Sequence, residues 1–322
     1  METAKILILL LTGLVLIVFG ADKLVDGASS IARRMRISEF VIGMTIVGIG
    51  TSAPELVVSL LGSLEGNADI AVGNVVGSNI INTLFGLGLT AIIFPLAITP
   101  GNRHLDIPIH MGATLLVFLL GMSGMLLGFG GNRLSRLDAV ILLLAFAAYL
   151  YIQFRNGKVS EEEAAAAGGK VRGYAVSVLL ILFGLGALVF GGRLFVNNAT
   201  AVARMMGASD KFIAITILAI GTSMPELATC IVAAARKKQQ LALGNIIGSN
   251  IFNLLLILGI SGAITPLSFT GMDRMDAMVL IVGSILLLAS PLTGRNNKLD
   301  RVDGSLLLAV WLGYMTWLIY NL

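Results

Sequence analysis

Ten predominantly apolar stretches of roughly twenty residues, parted by short charged or Gly/Pro/Asn-rich breaks, run from one end of this 322-residue chain to the other. About 20 such residues are what a helix needs to cross the hydrocarbon core of a bilayer. The stretches are Ile6–Leu24, Glu39–Leu64, Asp69–Ile93, Ile107–Leu127, Leu134–Phe154, Gly173–Asn198, Asp210–Ala235, Gln240–Ile264, Met272–Pro291 and Val302–Leu322. Only 12% of residues are charged, against about a quarter in a typical soluble domain, so a soluble globular fold is excluded. Ample apolar surface and the absence of a glycine period exclude disordered and collagen-like chains as well. The expected fold is all-α and integral to a membrane, with ten transmembrane helices. The first stretch lacks a convincing small-residue cleavage site and reads as a mature helix rather than a signal peptide. A single cysteine, Cys230, can form no internal disulfide. The net charge of +4 is spread over short loops, which favours lipid headgroups over nucleic acid as its partner.

Cytoplasmic loops carry the excess of Lys and Arg. Ten crossings would gather Arg33, Arg34, Arg36, Arg103, Arg155, Lys158, Lys170, Arg172, Arg236, Lys237, Lys238, Arg295, Lys298 and Arg301 on one side. The other side would hold Lys5, Arg133, Arg136, Arg204, Lys211 and Arg274. The first group is therefore expected in the cytoplasm and both termini outside, in a multi-pass protein of the plasma (inner) membrane.

An internal duplication narrows the fold further. A constant offset of 171 residues aligns Gly13–Leu96 with Gly184–Leu267 without a gap. Gly50-Thr51-Ser52-Ala53-Pro54-Glu55-Leu56 falls on Gly221-Thr222-Ser223-Met224-Pro225-Glu226-Leu227, and GNVVGSNIIN from Gly73 falls on GNIIGSNIFN from Gly244. The units are then residues 1–154, a short cytoplasmic linker 155–172 with an EEEAAAAGG run, and residues 173–322. Five helices per unit is an odd number, so the second unit would enter the membrane from the opposite side. Inverted repeats of this kind build transporters, with the substrate site near the midplane.

The repeated residues are polar ones in the middle of apolar stretches. A carboxylate at the bilayer centre costs about 2.5–3.5 kcal/mol or more, which makes Glu55 and Glu226 functional candidates. No Lys or Arg lies mid-span to neutralise them, since Lys23 and Arg193 sit toward helix ends and can snorkel. Thr51 and Ser52 precede Glu55 by four and three residues and share its helical face, as Thr222 and Ser223 do for Glu226. Pro54 and Pro225 are expected to distort the helix and free the carbonyls of Gly50 and Gly221; a simple kink is the plainer alternative. On the next helix Asn74, Ser78 and Asn82 recur every fourth residue, as do Asn245, Ser249 and Asn253. Ser78, Asn82, Ser249 and Asn253 are read as ligands. Asn74, Asn79, Asn245 and Asn250 are at least as well suited to interhelical bonding or backbone bracing. An all-oxygen set of this kind suits calcium or sodium and disfavours zinc and copper. His104, His110 and Cys230 lie outside the pattern.

These paired blocks resemble the alpha-repeats of the calcium/cation antiporter superfamily, most closely its prokaryotic sodium/calcium exchanger branch. The resemblance spans nearly the whole chain. It implies electrogenic exchange of calcium against sodium by alternating access, with no enzymatic reaction and no cofactor beyond the transported ions. It maps carboxylate ligands onto Glu55 and Glu226, and hydroxyl ligands onto Thr51, Ser52, Ser78, Thr222, Ser223 and Ser249. Its carbonyl ligands fall on Gly48 and Ala219. At Asn253 the chain departs from an archaeal member that carries Asp there, which leaves two membrane carboxylates. The long first and sixth helices, poor in mid-span polar groups, are candidates for a moving gate. A calcium/proton antiporter using the same glutamates is the nearest alternative. A cation channel suits a single midplane site less well, and an intramembrane hydrolase lacks its HExxH pair or Ser dyad. No obligatory protein partner is expected.

Overall fold

The computed structural model describes residues 2–124, 128, 131–159, 171–207, 219–293 and 297–320. They form α1 (Glu2–Met35), α2 (Glu39–Thr51), α3 (Ala53–Leu64), α4 (Asp69–Ile93), α5 (Asn102–Gly121) and α6 (Arg136–Asn156). The chain continues through α7 (Tyr174–Met205), α8 (Ala219–Thr222), α9 (Met224–Ala235), α10 (Gln239–Ile264), α11 (Arg274–Thr293) and α12 (Arg301–Tyr320). Among the described residues eight helices are long and apolar enough to cross a membrane. The pair α2–α3, bent by 50°, counts as a ninth if it crosses as one broken span. The expected stretch Asp210–Ala235 lies partly in residues 208–218, outside the described ones; α8 and α9 are its described remainder.

α1 runs past the expected boundary at Leu24 to Met35, carrying Asp22, Lys23 and Asp26 within the helix. What holds so long a helix is its seam with α7. A Cβ on Gly20 would stand 2.8 Å from the Gly184 carbonyl oxygen, and one on Gly184 2.7 Å from that of Gly20. Gly13 and Gly191 face each other in the same way, at 2.9 Å in both directions. Lipid supplies no hydrophobic drive between helices, so small residues that let backbones touch supply the contact. Gly13 and Gly184 correspond by the 171-residue offset, as do Gly20 and Gly191, so exchanging the two halves maps this seam onto itself.

Other local structure repeats at the same offset. Glu65 follows α3 and Arg236 follows α9, each closing the helix with a bond to the carbonyl four residues back, at 3.0 Å. Gly66 and Lys237 then turn through positive φ, +75° and +61°, and the chain enters the next helix. Two short ribbons, absent from the sequence expectations, join connecting loops. β1 (Leu96–Ala97) pairs antiparallel with β4 (Lys298–Leu299), and β2 (Arg133–Leu134) with β3 (Leu267–Ser268). Ile98 extends the first by donating to Asn297 O (2.8 Å), and Phe269, 171 residues on, extends the second by donating to Asn132 O (2.9 Å). Each ribbon joins loops that the Lys/Arg pattern assigns to one side, and so does the bridge between Ile37 and Lys158.

α10 is the most enclosed of the described spans. Its Gly244 and Gly248 lie against α2 so closely that a Cβ would stand 2.3 Å from Phe40 O and 2.5 Å from Met44 Cα. That approach sets the backbone of α2 beside Asn245 and Ser249.

Candidate ion-binding site

The polar centre is built on two broken helices. α2 loosens into a π turn over Gly43–Val47, ends at Thr51, and gives way at Ser52 (φ −82°, ψ 8°) to α3. Ser223 (φ −87°, ψ 4°) separates α8 from α9 in the same way. Pro54 and Pro225 fall in the first turn of the new helix, where a missing N–H costs nothing. The break thus lies two residues before each proline rather than in a continuous helix around it. The carbonyl it brings into play in the first half is that of Gly48, which accepts from Ser52 N (3.0 Å) and from Ser249 Oγ (3.2 Å). Glu55 and Glu226 consequently occupy the first turns of α3 and α9, where the partial positive charge of a helix N-terminus favours a carboxylate.

Both glutamates are fully buried. Ser52 Oγ donates to Glu226 Oε1 at 2.8 Å, crossing from the first half of the chain to the second. Ser78 Oγ donates to Glu55 Oε1 at 3.3 Å. Oε2 of each glutamate is buried without a hydrogen-bond partner. The amide of Asn74 donates to the Glu55 carbonyl (3.1 Å) and that of Asn245 to the Glu226 carbonyl (3.0 Å), so these two asparagines brace the helix turns that carry the acids. Thr51 Oγ1 lies 3.3 Å from Gly48 O and 3.2 Å from Asn245 Oδ1. Hydrogen bonds thereby link Glu55 with Ser78 and Asn74, Glu226 with Ser52 and Asn245, Thr51 with Asn245, and Ser249 with Gly48.

Asn82 and Asn253 lie one turn beyond Ser78 and Ser249, each in a π turn, Ile81–Leu87 and Phe252–Ile257. Both are buried; Nδ2 of Asn82 and both side-chain polar atoms of Asn253 lack hydrogen-bond partners. π turns inside α-helices concentrate at functional sites. Ser223 Oγ is likewise buried without a partner, whereas Thr222 is half-buried in α8 and Ala219 is its first residue. A separate buried group involves His110, whose Nε2 lies 3.2 Å from Asn250 Nδ2, which also donates to Thr83 Oγ1 at 2.8 Å. Nothing in the spacing of those residues announces that contact, because it joins α5 to the residue beside Ser249.

Two carboxylates buried with free oxygen atoms, among hydroxyls and amides and with no Lys or Arg among their hydrogen-bond partners, have the oxygen chemistry that suits hard cations. The same set is costly when charged and uncompensated.

A family model described as sodium/calcium exchanger protein matches residues 5–155 and 176–320. The chain is 38% identical over 317 residues to CaxA of Alkalimonas amylolytica, which carries the name of an antiporter, covering 95% of this chain and 96% of that protein. It is 37% identical to the inner membrane protein YrbG of Escherichia coli, with 96% of each chain covered. Among solved structures, the sodium-calcium exchanger NCX_Mj soaked with 10 mM Na+ and zero Ca2+ superposes with a TM-score of 0.81 at 31% identity, over 98% of this chain and 99% of that one. The matched ranges run through both halves of the chain, and on that ground it belongs to the sodium/calcium exchanger family of membrane antiporters.

Proposed function

We propose that the protein exchanges calcium for sodium by alternating access, both ions binding in turn at Glu55 and Glu226. The observation that carries this reading is the pair of buried carboxylates with free oxygens, set in broken helices and bridged across the two halves by Ser52. Thr51, Ser52, Ser78, Thr222, Ser223 and Ser249 contribute hydroxyl oxygens, Asn82 and Asn253 amide oxygens, and Gly48 and Ala219 carbonyls. Two ionised glutamates carry about −2, which one calcium or two sodium ions balance by charge counting. An empty site would have to carry two uncompensated carboxylates through a closed cavity, so the return step needs a bound ion and exchange is obligatory. Asn253 in place of a third acid tunes sodium affinity without being required.

In this reading the chain makes ten crossings as two inverted five-helix units, 1–154 and 173–322, joined by the linker 155–172. The self-mapping glycine seam, the matching turns after α3 and α9 and the two ribbons support it. The Lys/Arg-rich loops then face the cytoplasm, with both termini outside and the protein in the plasma (inner) membrane. Calcium, sodium and membrane lipids are the partners, and no cofactor or second protein is required.

The test is calcium uptake into proteoliposomes under imposed sodium, potassium and proton gradients in turn. Uptake driven by an outward sodium gradient, and by neither of the others alone, is the expected result. Uptake driven by a pH gradient without sodium would assign the glutamates to proton exchange instead.

A further inference from the structure

The two faces of the molecule stand in different states. On the Lys/Arg-rich face α1 packs along α9 and is tied to the C-terminal end of α9. Asp22 and Asp26 of α1 both pair with Arg236, the residue after α9, Asp26 at 2.8 Å from Nη1; Arg172, just ahead of α7, adds a second pair to Asp26 at 3.0 Å. On the opposite face α7 makes only sparse contact with α3. Between them lies a cavity of about 410 Å³ whose lining includes Pro54, Val57, Arg193, Thr222 and Pro225, so that it adjoins both helix breaks.

The 171-residue correspondence carries Asp22 onto Arg193, Asp26 onto Asn197 and Arg236 onto Glu65. Both charges of the pair are reversed, so the attraction survives the exchange of halves. Glu65 also has the backbone setting of Arg236, closing α3 as Arg236 closes α9. Yet Glu65 and Arg193 are exposed here, and neither has an ion pair among the described residues.

We infer that Arg193 and Glu65 form an ion pair that closes this cavity in the opposite-facing state, as the alternate of the Asp22–Arg236 pair made in the present one. The four side chains are positioning residues for the transport cycle, with one latch made at a time. The inference rests on the exchange reading above, because only an alternating site needs both. Exposed ion pairs are individually weak, which suits contacts that break once per cycle. The latches are unequal: two carboxylates serve Arg236, whereas Asn197 offers no second charge to the other pair, and this biases the resting molecule toward the state seen here.

The experiment uses disulfide trapping in reconstituted full-length protein, in a Cys230→Ser background; Ser59 occupies the equivalent position in the first half. The double variants Glu65→Cys with Arg193→Cys, and Asp22→Cys with Arg236→Cys, are oxidised in sodium, in calcium and in neither, then assayed for calcium uptake before and after reduction. Expected are cross-linking of both pairs, loss of uptake on each, recovery on reduction, and an inner cross-link that prevents the outer one when all four cysteines are present. Asp26→Asn should speed outer cross-linking. The inference is overturned if the outer pair fails to cross-link in all three conditions while the inner one does, if both form in one molecule, or if cross-linked protein still transports. Uptake by the Cys230→Ser parent reports on the exchange reading separately, and mutual exclusion is read on a gel whatever ion the parent moves.

Discussion

Glu55→Gln and Glu226→Gln should each abolish sodium-gradient-driven calcium uptake while leaving the protein folded. Glutamine keeps the shape and the hydrogen bonds that Ser78 and Ser52 make to Oε1, because an amide oxygen also accepts. On the proposed exchange reading, what disappears is one of the two negative charges that would face a divalent ion. Removing a buried charge relieves a desolvation penalty, so the ion-free variants should melt at the wild-type temperature or above it. Calcium should raise the wild-type melting temperature, corresponding to about 2.7 kcal/mol of stabilisation at a hundredfold excess over Kd, and should fail to raise that of either variant. Loss of transport together with a lowered ion-free melting temperature would point to a structural role for the acid. Near-normal uptake in both variants would remove the glutamates from the site.

The second large effect is on packing. In Gly244→Ala the new Cβ would meet Phe40 O at 2.3 Å and the Phe40 carbonyl carbon at 3.0 Å, both backbone atoms that cannot swing aside. Overpacking of this kind costs about 1–3 kcal/mol. The strain would also push α2 from α10 and separate Gly48 O from Ser249 Oγ, now 3.2 Å apart. The expected outcome is a lower melting temperature in detergent together with weaker calcium binding. Gly313→Ala on α12, where a Cβ would meet nothing within 4 Å, is the control and should be neutral or stabilising. Equal behaviour of the two variants would contradict the packing described for α2 and α10.

Much of this was legible in the sequence because a bilayer punishes polar atoms. Glu55 and Glu226 stand out against their apolar surroundings, and the offset between them fixes the equivalence of Ser78 with Ser249 and of Asn82 with Asn253. The i, i+4 spacing of Asn74, Ser78 and Asn82 places them on one face, and α4 carries them so. Contacts across the two halves were not legible. Ser52 reaches Glu226, not the Glu55 three residues on, and Ser249 reaches the Gly48 carbonyl, because α2 and α10 meet through glycines whose pairing no local pattern encodes. Proline chemistry located the backbone distortion only approximately: a proline in the first turn of a new helix and one in mid-helix look alike in sequence, and the break at Ser52 decides between them. Neither the π turns that hold Asn82 and Asn253 nor the two-residue ribbons have a propensity signature of their own.

The most direct test of the account is equilibrium binding of radiolabelled calcium to the purified protein over a sodium titration, beside Glu226→Gln. Calcium bound at about one ion per chain, as the charge count of two carboxylates requires, displaced competitively by sodium and absent in the variant, is the predicted result. Calcium binding indifferent to sodium, or retained in Glu226→Gln, would contradict the claim that both ions take turns at the glutamate pair.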